Sequence, residues 1–352
     1  MNVTPARGAR NVVCGLAGLL LGISLVGRLD STPSPLTGAQ KLRDFFEAKD
    51  EYTVIFAGDS HVFRQLDPAV FDAATAARGR ATRAYNLGVP AHKFFEIDYQ
   101  LRQVLRRDPA RLRFLILDVS FGWDFVQLNL ETERFVSWHD FRETLAAMWY
   151  TSKRREPEGA LYDAFNEKTR LNNLHLEAFF SQETHHGRGF GIVRPWTARE
   201  AHPSTEVILP GYRRGYLSLE DTPDAAFRHR DFLERVERGE TRWSAPVRPT
   251  LRPMPPYKKK LLEDLLLTLE SRGLRVMFIC GPLLSRPVEF PTDDPVLASP
   301  NRLFLYNDSS RFPNLFELDH RFDRYHLDQR GSEEYTRAVA ADFLSFVDAA
   351  GN

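Results

Sequence analysis

The chain has 352 residues, 43% of them hydrophobic, enough for a sizeable core in one large domain with an insertion or in two small ones. Lysine plus arginine equals aspartate plus glutamate at 47 each, so the formal net charge is zero, which argues against a polyanion binder and against nucleic acid as a partner. The two cysteines, Cys14 and Cys280, cannot build a disulfide framework or a zinc site.

Residues 11–27 form an apolar run, preceded by Arg7 and Arg10 and followed by Arg28. Its 17 residues lie at the short end of what spans a bilayer. The core of a secretory signal is usually shorter, about 7–15 residues. No Ala-x-Ala cleavage site follows. The run reads as a signal anchor, with a cleaved signal or a buried helix as alternatives. Arg7 and Arg10 favour a cytoplasmic amino terminus and an outside globular part, although Arg28, Lys41 and Arg43 weaken the bias. The expected layout is an anchor over 1–29, a Pro/Ser/Thr-rich linker and short helix over 30–50, and a domain over 51–350.

Tyr52 to Ala57 is an apolar, partly β-branched run that reads as a buried strand. Gly58-Asp59-Ser60-His61 follows, and Val62 to Ala77 reads as helical. Thr82 to Pro90 is a second strand, Phe94 to Arg107 an amphipathic helix, and Phe114 to Ser120 a nearly all-apolar, central strand. This alternation is that of an α/β fold. It breaks over about 121–252, a stretch rich in Trp, Phe, His and Arg that reads as an insertion or cap beside the carboxyl ends of the strands. It resumes with a helix from Tyr257 to Arg272, stopped by Gly273. Tyr257-Lys258-Lys259-Lys260 reads as a solvated face. A fourth strand covers Leu274 to Pro282, and a proline-rich loop follows. A fifth, shorter strand covers Leu315 to Asp319, and a closing helix runs from Ser332 to Ala349.

Ligands in open α/β sheets bind beyond the carboxyl ends of the strands. Ser60 stands at such an end. A serine hydroxyl needs an adjacent base to become a nucleophile. Histidine suits that task, and a carboxylate fixes its tautomer. Asp323 and His326 lie three apart just before the last helix, a spacing that places both on one side of a turn. The oxyanion of an acyl transfer needs donors. The Ser60 backbone N–H is one candidate, and that of Gly88, which lacks a Cβ, is another. Asn86 offers an amide to the pocket or caps the turn. The structural alternatives are that Ser60 caps a helix and that Asp323 pairs with Arg321 or Arg324.

Gly58-Asp59-Ser60, Asn86-Leu87-Gly88 and Asp323-Arg324-Tyr325-His326, in that order and on those elements, resemble the SGNH/GDSL hydrolase superfamily. The resemblance covers roughly 50–120 and 255–350. It implies a flavodoxin-like three-layer α/β/α fold with a parallel five-stranded sheet. It also implies Ser60 as nucleophile, His326 as base, Asp323 as its partner, and Ser60 and Gly88 amides in the oxyanion hole. Two departures stand out. Asp118-Val119-Ser120-Phe121-Gly122-Trp123-Asp124 lacks the asparagine of the family's third block, and His61 replaces the leucine of the first. The layout is similar to the membrane-anchored, envelope acyltransferase-like (DltD-like) branch. The expected activity is an extracytoplasmic esterase or O-acyltransferase on a cell-envelope polysaccharide; a non-catalytic assembly or binding module is the alternative. Expected partners are an acylated polysaccharide or small acyl ester, the membrane, and proteins of an envelope complex. His61 and Trp123 are candidate substrate contacts, although His61 reads more as facing solvent or the pocket wall, and Trp123, like Trp138, more as core. His185-His186 lacks acidic or Cys partners at a metal-binding spacing, so no metal and no cofactor is implied.

Overall fold

The computed structural model describes residues 37–120, 133–154, 161–185, 212–241, 247–284 and 287–349, with Cys14 and Gly18 alone before them. Among the described residues no helix is long and apolar enough to cross a membrane. The 11–27 run lies outside them, apart from Cys14 and Gly18. The chain divides into two units, one of Met1–Leu36 and Gln127–Glu206, the other of Thr37–Val126 and Val207–Asn352.

The larger unit is α/β. Its sheet has five parallel strands, β1 (Val54–Ala57), β2 (Ala84–Asn86), β3 (Phe114–Asp118), β5 (Arg275–Cys280) and β7 (Leu303–Leu305), in the order β2-β1-β3-β5-β7. The apolar runs in β1, β3 and β5 are the reason these strands lie inside, since a strand buried on both faces must be apolar throughout. Val54, Phe56, Ile116, Met277 and Ile279 pack with Phe71 of α3 (Pro68–Ala76) and with Tyr335, Val339 and Phe343 of α10 (Gln329–Ala349). Ile55, Leu115, Leu117 and Phe278 alternate with them, so they point to the opposite face, and they are buried as well. There α1 (Thr37–Glu47) packs against α4 (Phe94–Arg106), and α9 (Pro256–Glu270) lies on β5.

The expected fifth strand over Leu315 to Asp319 is not one. Those residues form two 3-10 turns, Pro313–Phe316 and Leu318–His320. Leu315 is buried in the α10 cluster, which accounts for its apolar character. The true edge strand, β7, has three residues, too few to show a period. A parallel two-stranded sheet of β4 (Leu251–Pro253) and β6 (Val288–Phe290) was equally hidden in loop-like sequence. The expected helix from Val62 to Ala77 is two, α2 (Ser60–Gln65) and α3. Pro68 cannot continue α2 and opens α3 instead, where the Asp67 carboxylate accepts from Ala69 N at 2.7 Å. The basic run is no bare solvated face. Lys258 is buried and donates to Glu289 at 2.6 Å, and Lys259 meets Asp293 at 2.8 Å.

Over 133–185 the described part of the insertion after β3 forms α5 (Glu133–Ser137), α6 (Phe141–Lys153) and α7 (Leu161–His185), with α6 and α7 packed together. His139 joins the backbone of Phe135 at 2.6 Å and His175 at 2.8 Å. Burial pushes these rings down to about 3 and about 4, so this pair is neutral and fully internal. Trp138 is buried beside it.

Residues 212–241 belong to the sheet unit. Arg213 and Tyr216 exchange backbone hydrogen bonds at 2.8 and 3.0 Å around Arg214 (φ 47) and Gly215 (φ 82). Two successive left-handed residues make this a type I′ turn. The turn sits on the outer edge of β2, where Asn86 N donates to Arg214 O at 2.9 Å. The Arg214 guanidinium also pairs with Asp72. The otherwise open strand edge is thereby closed. A Cβ on Gly215 would run into the carbonyl oxygen of Asn86, whereas one on Gly79, also left-handed at φ 83, would meet nothing within 4 Å. Both Gly→Ala variants should lose about 1 kcal/mol from backbone strain. Gly215→Ala should lose about 1–3 kcal/mol more from overpacking. Denaturant unfolding of the two variants checks the difference.

Candidate active site

Glycine 58 ends β1 and must be a glycine. A Cβ there would lie 3.0 Å from the Asp118 Cβ and inside the Val62 side chain. The tight turn puts Ser60 at the first residue of α2. Asp59 is the cap of that helix: its Oδ1 accepts from His61 N at 2.9 Å. The capping role considered for Ser60 therefore falls to its neighbour, and the Ser60 hydroxyl is not used for it.

A six-residue helix is too short to stand alone. Helix α2 is held by its own terminal carbonyls. The Asn86 amide donates to Val62 O at 2.7 Å and Leu66 O at 2.8 Å. From α10, Ser332 Oγ donates to Arg64 O at 3.3 Å and Thr336 Oγ1 to Gln65 O at 3.1 Å. These bonds satisfy acceptors that a helix end leaves open and fix the Ser60 turn against the last helix.

The loop before α10 is equally constrained. Phe322 N and Asp323 N both donate to His326 O, at 3.0 and 3.3 Å, and Asp323 Oδ1 accepts from Tyr325 N at 2.7 Å and His326 N at 2.9 Å. Gly331 lets the loop pass against His320, whose carbonyl oxygen a Cβ would overlap. Arg321, fully buried, donates to Leu315 O and Pro282 O at 2.7 Å each, and the Asp323 charge also acts on it. Arg228 of α8 (Ala225–Glu237) approaches Asp323 at 3.6 Å. His229 of the same helix meets Phe322 O at 2.9 Å.

Ser60, His326 and Asp323 converge. His326 Nε2 lies 3.0 Å from Ser60 Oγ, and His326 Nδ1 lies 3.0 and 3.1 Å from the two Asp323 oxygens. Burial raises the Asp323 carboxyl, but His326 and the backbone donors outweigh it and bring it down to about 2. An ionised carboxylate only accepts hydrogen bonds. Nδ1 must therefore carry the proton, which leaves Nε2 as acceptor for the Ser60 hydroxyl. Burial lowers the His326 ring despite Asp323, so the ring rests neutral. The arrangement can take a proton from Ser60 and stabilise the resulting imidazolium.

The expected oxyanion donors are placed differently. Gly88 N donates to Asn86 Oδ1 at 2.9 Å, and both Asn86 amide hydrogens go to α2. The Asn86 side chain is a brace, and the Gly88 N–H is already committed to it. Gly88 is required for another reason: a Cβ would lie 2.6 Å from Phe63 N. The Ser60 N–H heads α2, where the first amides have no intrahelical carbonyl. Lys41, wholly buried, binds Gly88 O and lies 3.8 Å above the Phe63 ring. Nothing in its sequence setting marked it, because its partners are 22 and 47 residues away. His61 does not point to solvent; its Nδ1 lies 2.7 Å from Asp59 and its ring stacks on His326 at 5.3 Å. Trp123 lies outside the described residues.

A scan against protein-family models finds none that matches, and a search of curated proteins finds no relative. The α/β fold and the site thus rest on sequence and geometry.

The depressed Asp323 carboxyl makes a stability statement. Its contribution is complete above the ordinary value of 3.8 and is lost as pH falls toward about 2. Asp323→Asn should therefore be less stable by about 2 kcal/mol at neutral pH and should converge on the parent near pH 2. Thermal melts across that range measure it; equal losses at every pH would mean that the carboxylate's charge is not what matters.

Proposed function

We propose that the protein is a serine esterase or O-acyltransferase of the SGNH/GDSL type, with Ser60 as nucleophile. The observation that carries this reading is the continuous Ser60–His326–Asp323 hydrogen-bond chain, with 3.0 Å at each link. Two features support it. The sheet order, counting only its own strands, is 2-1-3-4-5, the order of flavodoxin-like sheets, and all three residues follow carboxyl ends of that layer or the loop before its last helix. The Gly58 turn also holds the hydroxyl clear of the helix-capping bond.

In this mechanism His326 Nε2 takes the Ser60 proton as Oγ attacks an acyl carbonyl. Asp323 stabilises the imidazolium. The Ser60 N–H is one donor to the oxyanion, and His326 returns the proton to the leaving alkoxide. An acyl-Ser60 ester remains. Water or a sugar hydroxyl then attacks it by the same steps reversed, giving hydrolysis or transfer. The apolar 11–27 run and the arginines before it support an anchored, extracytoplasmic enzyme, with the acyl esters of an envelope polysaccharide as substrate. No cofactor enters these steps.

One observation favours a second reading, a binding or assembly module on the same fold. The Gly88 N–H and the Asn86 amide are committed internally, and the third-block asparagine is missing, which leaves few oxyanion donors.

Turnover of a small activated aryl ester separates the two. The enzyme reading expects measurable hydrolysis that falls by several orders of magnitude in Ser60→Ala and by a similar factor in His326→Ala, because triad members act as a unit. Folding should persist, since Ser60 caps nothing. Ester hydrolysis that is unchanged in a folded Ser60→Ala protein would leave the binding module standing.

A further inference from the structure

The helical part of the insertion is built around two buried imidazoles. His139, in the link between α5 and α6, and His175, in the middle of α7, are both 0% exposed. His139 Nδ1 lies 2.6 Å from Phe135 O of α5, and its Nε2 lies 2.8 Å from His175 Nδ1. His175 Nε2 lies 3.4 Å from Thr151 Oγ1 of α6. This chain of bonds touches all three helices. The rings of Phe135 and Trp138 stand 4.4 and 3.7 Å from the His139 ring and make its surroundings largely aromatic.

The geometry fixes the protons. A carbonyl oxygen only accepts, so His139 Nδ1 carries a hydrogen. Nε2 of the neutral ring then accepts from His175 Nδ1–H, and His175 Nε2 is left to accept from the Thr151 hydroxyl. One added proton finds a place on His175 Nε2, facing the Thr151 oxygen, at the cost of a buried charge. A second does not. With both rings charged, two N–H groups would meet head on across 2.8 Å, on like-charged rings whose centroids are 5.2 Å apart.

The charged groups on the surrounding helices do not offset such a charge. On α5, Arg134 is itself basic. Asp140, at the start of α6, accepts from Glu143 N at 2.9 Å, and Glu143 pairs with Arg142 at 2.6 Å. On α7 the charged residues to either side of His175, Arg170 and Glu177, are exposed. Among the described residues no acidic side chain acts on either ring. Burial and then the partner ring bring His139 down to about 3, and burial brings His175 down to about 4.

We propose that this pair is an acid-operated latch in the insertion, holding α5, α6 and α7 together while both rings are neutral and releasing them when the rings are protonated. The direction follows from linkage. A ring freed from the core titrates at its ordinary value of 6.5, and a ring held lower when closed gains its proton only on opening. The closed form is therefore fully stable above about pH 6.5 and loses stability as pH falls toward the closed-state values. Each ring that takes up a proton on opening raises the opening constant about tenfold per pH unit, so the pair together approaches about a hundredfold. In the sheet unit His326 is also held low, but one ring alone gives about tenfold at most.

Hydrogen–deuterium exchange of the full chain from pH 7.5 to 4.5, corrected for the intrinsic pH dependence, measures these slopes. Peptides from α6 and α7 are compared with peptides from β1, β3 and β5. Expected is an opening constant for α6 and α7 that is flat above about pH 7 and climbs below about 6.5 toward a hundredfold per unit, against tenfold or less in the strands. His175→Gln keeps a donor for His139 Nε2 but cannot gain a charge, so its slope should fall to about tenfold; His139→Gln should do the same. Protection of α6 and α7 that stays flat down to pH 4.5 in the parent overturns the proposal, and this needs no variant. So does an undiminished slope in either folded variant. If neither variant folds, the parent slope decides by itself. Ser60 enters none of these outcomes, so the latch stands or falls apart from the hydrolase reading.

Discussion

The hydrogen bond between Ser60 Oγ and His326 Nε2 joins residues 266 positions apart in the chain. It exists only because two short, otherwise unstable segments are held rigidly. Helix α2 has six residues and little stability of its own. Its last carbonyls are bound by Asn86 from β2 and by Ser332 and Thr336 from α10. The histidine loop folds back on itself through Asp323 and is shored up by α8 on its outer side. Three glycines permit these close approaches. Gly58, Gly88 and Gly331 each stand where a Cβ would strike a neighbouring segment.

The electrostatics follow from that enclosure. Burial by itself would raise Asp59 and Asp323 and lower His326. Each aspartate is nevertheless brought down to about 2, because each faces an imidazole and accepts backbone N–H groups. Asp118 is raised by burial and by the Asp59 charge, which His61 and the Ser120 donors only partly offset. Two acid–histidine pairs thus lie side by side, and among the described residues Asp323–His326 is the one that reaches the Ser60 hydroxyl.

Much of this was legible in sequence where the signal is local. Long apolar runs marked β1, β3 and β5, and Gly-Asp-Ser with Asp-x-x-His marked the residues that meet. What stayed hidden is non-local. The three-residue strand β7 shows no period, and the apolar character of Leu315 and its neighbours arises from contact with α10 rather than from a sheet. Asn86 looked like a pocket amide because its true acceptors, Val62 O and Leu66 O, are set by the packing of α2 on β2. Lys41 and Arg228 sit in unremarkable sequence, Asp118 stood out only as part of a block that lacks an asparagine, and the fold brings all three to the site. The Asp67-Pro68 break between α2 and α3 was readable, since a proline there closes one helix and opens the next.

The central claim is that Ser60 is activated by His326. The most direct measurement is the mass adduct formed by a fluorophosphonate on the intact full-length protein, mapped by peptide sequencing. The account predicts a single adduct on Ser60 that disappears in Ser60→Ala and forms orders of magnitude more slowly in His326→Ala. A folded parent protein that stays unlabelled, or one labelled equally well without His326, would contradict it.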